Sequence, residues 1–293
     1  MSVTPLTPLP SVQPAPAFRG RIGRDARSGH YAVPRRYRLH LSPACPHCLR
    51  IAVIHALLGL DEICPVTLLD AVPDRPDGGH VALRPLYEAS AHRYTGPAAA
   101  PVLSDDWSGR IVSTHAPDIM RDLARQFAGR GPELYPRQAE AETEAVERLC
   151  AEGIDAAAQR AGLAGGDAAE RSAALDELLG ALGELEHRLT TGRYVLGDRL
   201  TAADVEVWVA LVHLDTVHRI HLDAEAVHRV AGHPALWAHV RRLTALPAFG
   251  ARLDLDGIDR RHRARCRGLE AAGAAVQILD WAAHAAGRQP ERP

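Results

Sequence analysis

Cys45, Pro46, His47 and Cys48 stand together in the segment LSPACPHCLRIAVIHALLGL, residues 41–60. A cysteine at a helix start faces unpaired backbone N–H groups and the positive end of the helix dipole. Both favour thiolate and lower the thiol pKa from about 8.5 to roughly 3.5–7.5. Pro46 suits the first helical turn, where its missing N–H has no partner to lose. Cys45 is therefore the candidate nucleophile. Cys48 lies one turn deeper, where it could attack a mixed disulfide on Cys45 and release the bound thiol. A cysteine on a buried helix is equally often a small packing residue, and both readings of Cys48 stand. Zinc binding at this pair lacks further ligands, because no second Cys-x-x-Cys follows. His213, His218 and His221 form no HExxH pair, so no metal is expected.

Such a thiol needs a strand to deliver it and a helix to present it. Tyr37, Leu39 and Leu41 alternate with Arg38 and His40, which is strand periodicity, and Cys45 to Leu60 reads as a buried helix ending near Gly59. Further strands are expected at Ile63 to Leu69, Pro101 to Leu103 and Arg110 to Ser113, and a helix at Pro117 to Phe127. Together they make a thioredoxin-like β-α-β, β-β-α unit. From Gln138 the periodicity is helical, through Gln138 to Leu163, Ala168 to Thr190, Ala202 to Arg219, Pro234 to Leu246 and Gly268 to Ala286. We expect a Pro-rich tail over 1–17, an α/β thioredoxin-like domain over 18–130 and an all-α domain over 137–290. The breakers in RGPELYPR mark the linker. Thr201 and Asp204 have the spacing of a capping box, which starts a helix and carries no chemistry.

The chain has 293 residues, a formal charge of -2 and 46% hydrophobic residues, enough for packed cores and without a general attraction to nucleic acid or anionic membrane. Five scattered cysteines do not form a disulfide framework, and neither a signal peptide nor a membrane-spanning run is evident. The expected setting is the cytoplasm. There is no Walker A loop, dinucleotide-binding glycine fingerprint or GxSxG elbow. The run Arg260, Arg261, Arg263, Arg265, Arg267 lacks interleaved aromatics and reads as a solvated or salt-bridged surface. All 34 basic residues counted as Lys or Arg are Arg, and Asn is absent too. Both missing residues use A-rich codons, so the composition points to a GC-rich genome.

The chain resembles the xi-type glutathione transferases, the glutathionyl-hydroquinone reductases. The resemblance runs through FRGRIGRDARSGHYAVPRRYRLHLSPACPHCLR, RYTGPAAAPVLSDDWSGRIVS, GRYVLGDRLTAADVEVWVALVHLDTVHRIHL and HPALWAHVRRLTALPAFGARLDLDGIDRRH, most of Phe18 to His262. It implies the glutathione transferase fold and a homodimer. It also implies that Cys45 takes glutathione from a glutathionyl-hydroquinone and yields it to a second glutathione. Pro101 matches the family's cis proline, with Ala100 offering backbone hydrogen bonds to the thiol peptide.

Several family positions differ. Cys-Pro-Trp-Ala becomes Cys45-Pro46-His47-Cys48, and the Gly-Trp segment has no counterpart in DAVPDRPDGGHVAL. Ser-Asn-Glu-Ser becomes Ser113-Thr114-His115-Ala116, which removes the Glu-Ser pair that holds the γ-glutamyl end. His115 could bind a carboxylate or simply cap a helix. Family tyrosines of the electrophile site align with Gln159, His262 and Arg263. The resemblance thus places the thiol cosubstrate at His47, Ala100, Pro101, Ser113, His115 and Ala116, and the second substrate at Gln159, His262 and Arg263.

The expected function is Cys45-dependent thiol transfer or reductive dethiolation of an aromatic or quinone-like metabolite. Its cosubstrate is glutathione or another small thiol; a GC-rich source using mycothiol would make the loss of the γ-glutamyl pair intelligible. Two alternatives remain open at this point. One is a glutaredoxin-like dithiol oxidoreductase, the other a repurposed transferase fold that binds without catalysis.

Overall fold

The computed structural model describes residues 18–25, 27, 29–127, 131–163, 167–266 and 278–281. The 1–17 tail lies outside them, as does most of the helix expected at Gly268 to Ala286.

Strand β1, Tyr37–Leu41, buries Tyr37, Leu39 and Leu41 and leaves the alternate positions half-buried, as its sequence alternation requires. It runs into α1, Pro46–Leu57, whose Cys48, Leu49, Ile51, Val53 and Ile54 are buried. Gly59 ends this helix at φ +64°, a conformation that costs glycine little. Strand β2, Val66–Leu68, pairs parallel to β1. Strand β3, Val102–Asp105, pairs antiparallel to β1, and β4, Arg110–Ser113, antiparallel to β3. The sheet order is β2-β1-β3-β4. Between β2 and β3 lies α2, Arg84–Ser90, which the sequence did not reveal. It is short and buries only Tyr87, so it leaves no periodic signal. Helix α3, Ala116–Gln126, closes the unit against α1. Arg19 and Arg21 reach Asp118 at 2.7 and 3.2 Å, and Arg21 reaches Asp122 at 2.7 Å, tying the entering chain to this helix.

The second half is helical. Helix α4, Glu140–Arg148, continues through a widened π turn, Leu149–Ala156, into α5, Ala157–Ala161. Gly153 lies inside that turn, and a Cβ there would stand 2.8 Å from the Ala181 Cβ on α6, Ala168–Thr191. Close helix packing therefore requires glycine at this position. Helix α7, Ala202–His213, is buried along its whole length, and the expected capping box is present: the Thr201 N–H donates to Asp204 at 2.8 Å. A second π turn, Leu214–His218, and a short 3-10 turn, Arg219–His221, follow. Helices α8, Ala224–Ala231, α9, Pro234–Thr244, α10, Pro247–Gly250, and α11, Leu255–Cys266, complete the layer. Buried Asp215 accepts from the Ile278 and Leu279 N–H groups and from Trp281 Nε1 at 2.8–3.0 Å, anchoring residues 278–281. No helix among the described residues is long and apolar enough to cross a membrane.

Candidate active site

Cys45 is the N-cap of α1, with extended backbone (φ -90°, ψ 126°) and Pro46 next to it. Its carbonyl accepts the Leu49 N–H at 2.8 Å, so the helix begins at the thiol, and no acidic side chain sits in the first turn to oppose an anion. Cys48 is fully buried one turn in. Hydrogen bonding to Cys48 is the largest cause that holds the Cys45 thiol well below its usual range, against the opposing effect of burial. His47, the Cys48 backbone N–H and the Arg261 charge add to it. Burial and the neighbouring Cys45 charge push Cys48 well above the usual range. The two thiols are thus sharply unequal: one is poised as thiolate and the other stays protonated.

Burial lowers the His47 imidazole, so it is neutral near pH 7. The lasting cation beside Cys45 is therefore Arg261. Its guanidinium donates to the Ala71 carbonyl at 3.0 Å, while its buried Nε has no hydrogen-bond partner. Burial lowers its pKa, yet a guanidinium remains charged.

Cys45 opens into a cavity of about 400 Å³ lined in part by Gln159, His213, His218, Arg261, His262 and Arg265. Both π turns contribute to the wall, through Asp155 from the first and His218 from the second. A second cavity, also about 400 Å³, shares His47, Arg50 and Asp155 with it and holds His115 and Ala116.

The positions expected from the sequence divide accordingly. Gln159 and His262 share the Cys45 cavity, and His47 bridges to the second cavity with His115 and Ala116. Ala100, Pro101 and Ser113 line neither. The Ala100-Pro101 peptide is cis, as expected. Ser113 Oγ accepts the His115 N–H at 3.1 Å. His115 stands at the N-cap of α3, where its side chain makes no capping hydrogen bond, and its ring lies 3.0 Å from Asp118. Arg263 corrects an expectation. It points outward, its side chain is 69% exposed, and it pairs with Asp259 at 2.9 Å. The basic run is likewise not uniformly a solvated surface: on helix α11, Arg261 is half-buried against the Cys45 cavity, Arg265 lines the cavity rim while exposed, and Arg263 lines neither cavity. Only the helical period separates them, and α11 was not foreseen as a helix. Arg50 was missed as well. Its Nε stands 2.5 Å from Glu206 Oε2 and its NH2 3.4 Å from Asp155 Oδ2, joining α1 to α7 and the first π turn beneath the cavity floor.

A thioredoxin-like sheet with a cysteine at a helix start, packed on a helical layer that walls the cavity, defines the glutathione-transferase fold class. The C-terminal domain family of glutathione S-transferases matches residues 141–242. The glutathionyl-hydroquinone reductase PcpF of Sphingobium chlorophenolicum is 30% identical over 246 residues, 78% of this chain and 76% of its own. The glutathionyl-hydroquinone reductase YqjG of Escherichia coli is 26% identical over 291 residues, 91% and 88% of the two chains. Among solved structures, a xi-class glutathione transferase from Natrialba magadii superposes with a TM-score of 0.76 at 26% identity, covering 90% of this chain and 87% of its own. The chain belongs to the xi-class glutathione transferase, or glutathionyl-hydroquinone reductase, family. It is an enzyme of the glutathione S-transferase-like thiol-transfer and reductase type.

Proposed function

We propose that this enzyme reductively removes a thiol from an aromatic, quinone-derived conjugate through a mixed disulfide on Cys45. The observation that carries this reading is the Cys45 thiolate facing a 400 Å³ cavity beside the Arg261 guanidinium. In the first step the thiolate attacks the sulfur of the aryl thioether. An S–S bond forms, the aryl C–S bond breaks, and the ring carbon keeps the electron pair and takes a proton, which leaves the reduced hydroquinone. In the second step an external thiolate attacks the mixed disulfide, regenerates the Cys45 thiolate and departs as a disulfide. The aromatic product is reduced and two thiols are oxidised, so the electrons balance.

The names of PcpF and YqjG support glutathione as the thiol. Mycothiol is the competing candidate, because His115 and Ala116 occupy the place of the family's γ-glutamyl-binding pair.

A second reading rests on Cys48 standing one turn from Cys45 at the start of α1, with the two thiols shifting each other's pKa. The raised pKa and complete burial of Cys48 favour a donor over a resolving nucleophile. Wild type, Cys45→Ser and Cys48→Ser are to be exposed to glutathione disulfide and to mycothiol disulfide, and their intact masses read under non-reducing conditions. One stable adduct that requires Cys45 and forms equally in Cys48→Ser supports single-thiol transfer and names the cosubstrate by its mass. A two-hydrogen loss in wild type, with an adduct trapped only in Cys48→Ser, would replace it with the dithiol mechanism.

A further inference from the structure

His262, which lines the Cys45 cavity, belongs to a cluster with His221 and Cys266, neither of which lines that cavity. His262 and Cys266 lie one turn apart on the same face of α11, and His221, at the end of the 3-10 turn after α7, meets them from the other side. His221 Nε2 and His262 Nε2 are 3.1 Å apart, and Cys266 Sγ lies 3.4 Å from His262 Nε2 and 3.8 Å from His221 Nε2. All three ligand atoms fall within 4.8 Å of one another.

Those three edges have the dimensions of a coordination triangle. Zinc binds imidazole nitrogen at about 2.0–2.1 Å and thiolate sulfur at about 2.3 Å, so a tetrahedral site has edges of about 3.3 Å between nitrogens and about 3.6 Å between nitrogen and sulfur. The observed 3.4 and 3.8 Å bracket the nitrogen–sulfur edge, and the 3.1 Å nitrogen–nitrogen distance lies slightly below its edge. Sγ also stands 3.5 Å from His262 Nδ1, so binding requires a small rotation of the His262 ring or the Cys266 side chain. Without an ion the two rings share a hydrogen bond, which coordination would replace. Two imidazoles and a thiolate are borderline-soft donors, suited to zinc-class divalent ions and unsuited to magnesium or calcium. Three protein ligands also leave a coordination position for water or an incoming ligand.

We propose that His221, His262 and Cys266 bind a zinc-class divalent transition-metal ion at the wall of the Cys45 cavity. His262 belongs both to this ligand set and to the cavity lining, so the ion stands at the edge of the substrate space. No signature marks such a site in the sequence: the ligands come from two elements, and His221 and His262 are separated by 41 positions. The proposal is independent of the thiol-transfer reading, because none of its ligands is Cys45 or Cys48.

The full chain, stripped with a chelator, is to be titrated with zinc in competition with a chromophoric chelator, and with cobalt as a spectroscopic probe. One equivalent should bind with Kd below about 1 μM, and cobalt should show a thiolate charge-transfer band with tetrahedral visible bands. Cys266→Ser should abolish that band, and Cys266→Ser and His221→Ala should each weaken zinc binding by at least about 100-fold. The Cys45→Ser/Cys48→Ser double variant should keep both signals. If Cys266→Ser does not fold, the half-buried His221→Ala decides alone. Binding that survives the Cys266 and His221 substitutions but vanishes in the Cys45/Cys48 variant would overturn the proposal, as would the absence of binding at micromolar zinc.

Discussion

Cys48 lies one turn deeper in α1 than Cys45, and the two pKa values move in opposite directions: Cys45 is lowered chiefly by hydrogen bonding to Cys48, and Cys48 is raised chiefly by burial and then by Cys45. A donor to the charged form favours that form, and a thiol beside an existing thiolate resists ionising. Substitution at Cys48 should therefore depend on whether a donor remains. Cys48→Ser retains a hydroxyl and should leave Cys45 acidic, whereas Cys48→Ala should raise its pKa. Iodoacetamide alkylation of Cys45 near pH 6 should slow at least about threefold in the alanine variant and change little in the serine variant. Equal slowing in both would assign the effect to altered packing.

Arg261 is the second support of the thiolate, and its partnerless Nε is available to an anionic group in the cavity. Arg261→Gln should lower kcat/KM for a glutathionyl-hydroquinone by about 10- to 100-fold, in the range expected for losing one preorganised electrostatic contact. It should also move the acidic limb of the pH–rate profile upward, because the thiolate loses a cation. Arg263→Gln, on the outer face of α11, should stay within about twofold of wild type. Comparable losses in the two variants would show that the arginine run acts through its overall charge.

This contrast shows where the sequence was informative. The strand alternation of Tyr37, Leu39 and Leu41, the Pro46 turn and the Thr201/Asp204 box are local signals, and each appears in the structure. The cavity wall is a different case. Helix α11 has polar residues around most of its circumference, so no apolar stripe announced it and the half-buried Arg261 could not be separated from the exposed Arg263. The π turns that carry Asp155 and His218 to the cavity follow from tertiary packing. Arg50 sits in an apolar helix, and only the arrival of Glu206 and Asp155 from distant elements explains it.

Arg50 and Glu206 are 5% and 6% exposed and join the two halves of the molecule. Burial alone would lower the Arg50 pKa, but the charges of Glu206 and Asp155 more than offset it. Burial also raises the Glu206 carboxyl. Glu206→Leu leaves a buried guanidinium with only the longer Asp155 contact and should cost about 3–5 kcal/mol in urea unfolding. Replacing both partners, as Arg50→Met with Glu206→Leu, should restore much of that loss, because two buried charges are removed together. A double variant as unstable as Glu206→Leu would mean that the pair specifies the packing of α1 on α7 and does more than neutralise itself.

His213 offers a pH-dependent stability test. Its imidazole lies at the buried end of α7, burial lowers its pKa well below the ordinary value, and its Nε2 has no hydrogen-bond partner. The folded state therefore binds fewer protons here than the unfolded chain, whose histidines titrate near about 6.5. Stability is then fully present above that pH and is lost as pH falls toward the folded value. His40, His47, His55 and His80, all lowered by burial, act in the same direction. Asp105 and Asp118, held low by their arginine partners against burial, lose their contribution only at lower pH. Glu147, Asp155 and Glu206 are raised by burial and oppose the trend, so the wild-type slope alone does not isolate His213. The informative quantity is the difference in slope of unfolding free energy between wild type and His213→Leu from about pH 7.5 to about pH 5.5. The variant should show the shallower loss on acidification, whatever its stability at neutral pH. Parallel slopes would mean that His213 is hydrated through the cavity and titrates as it does in the unfolded chain.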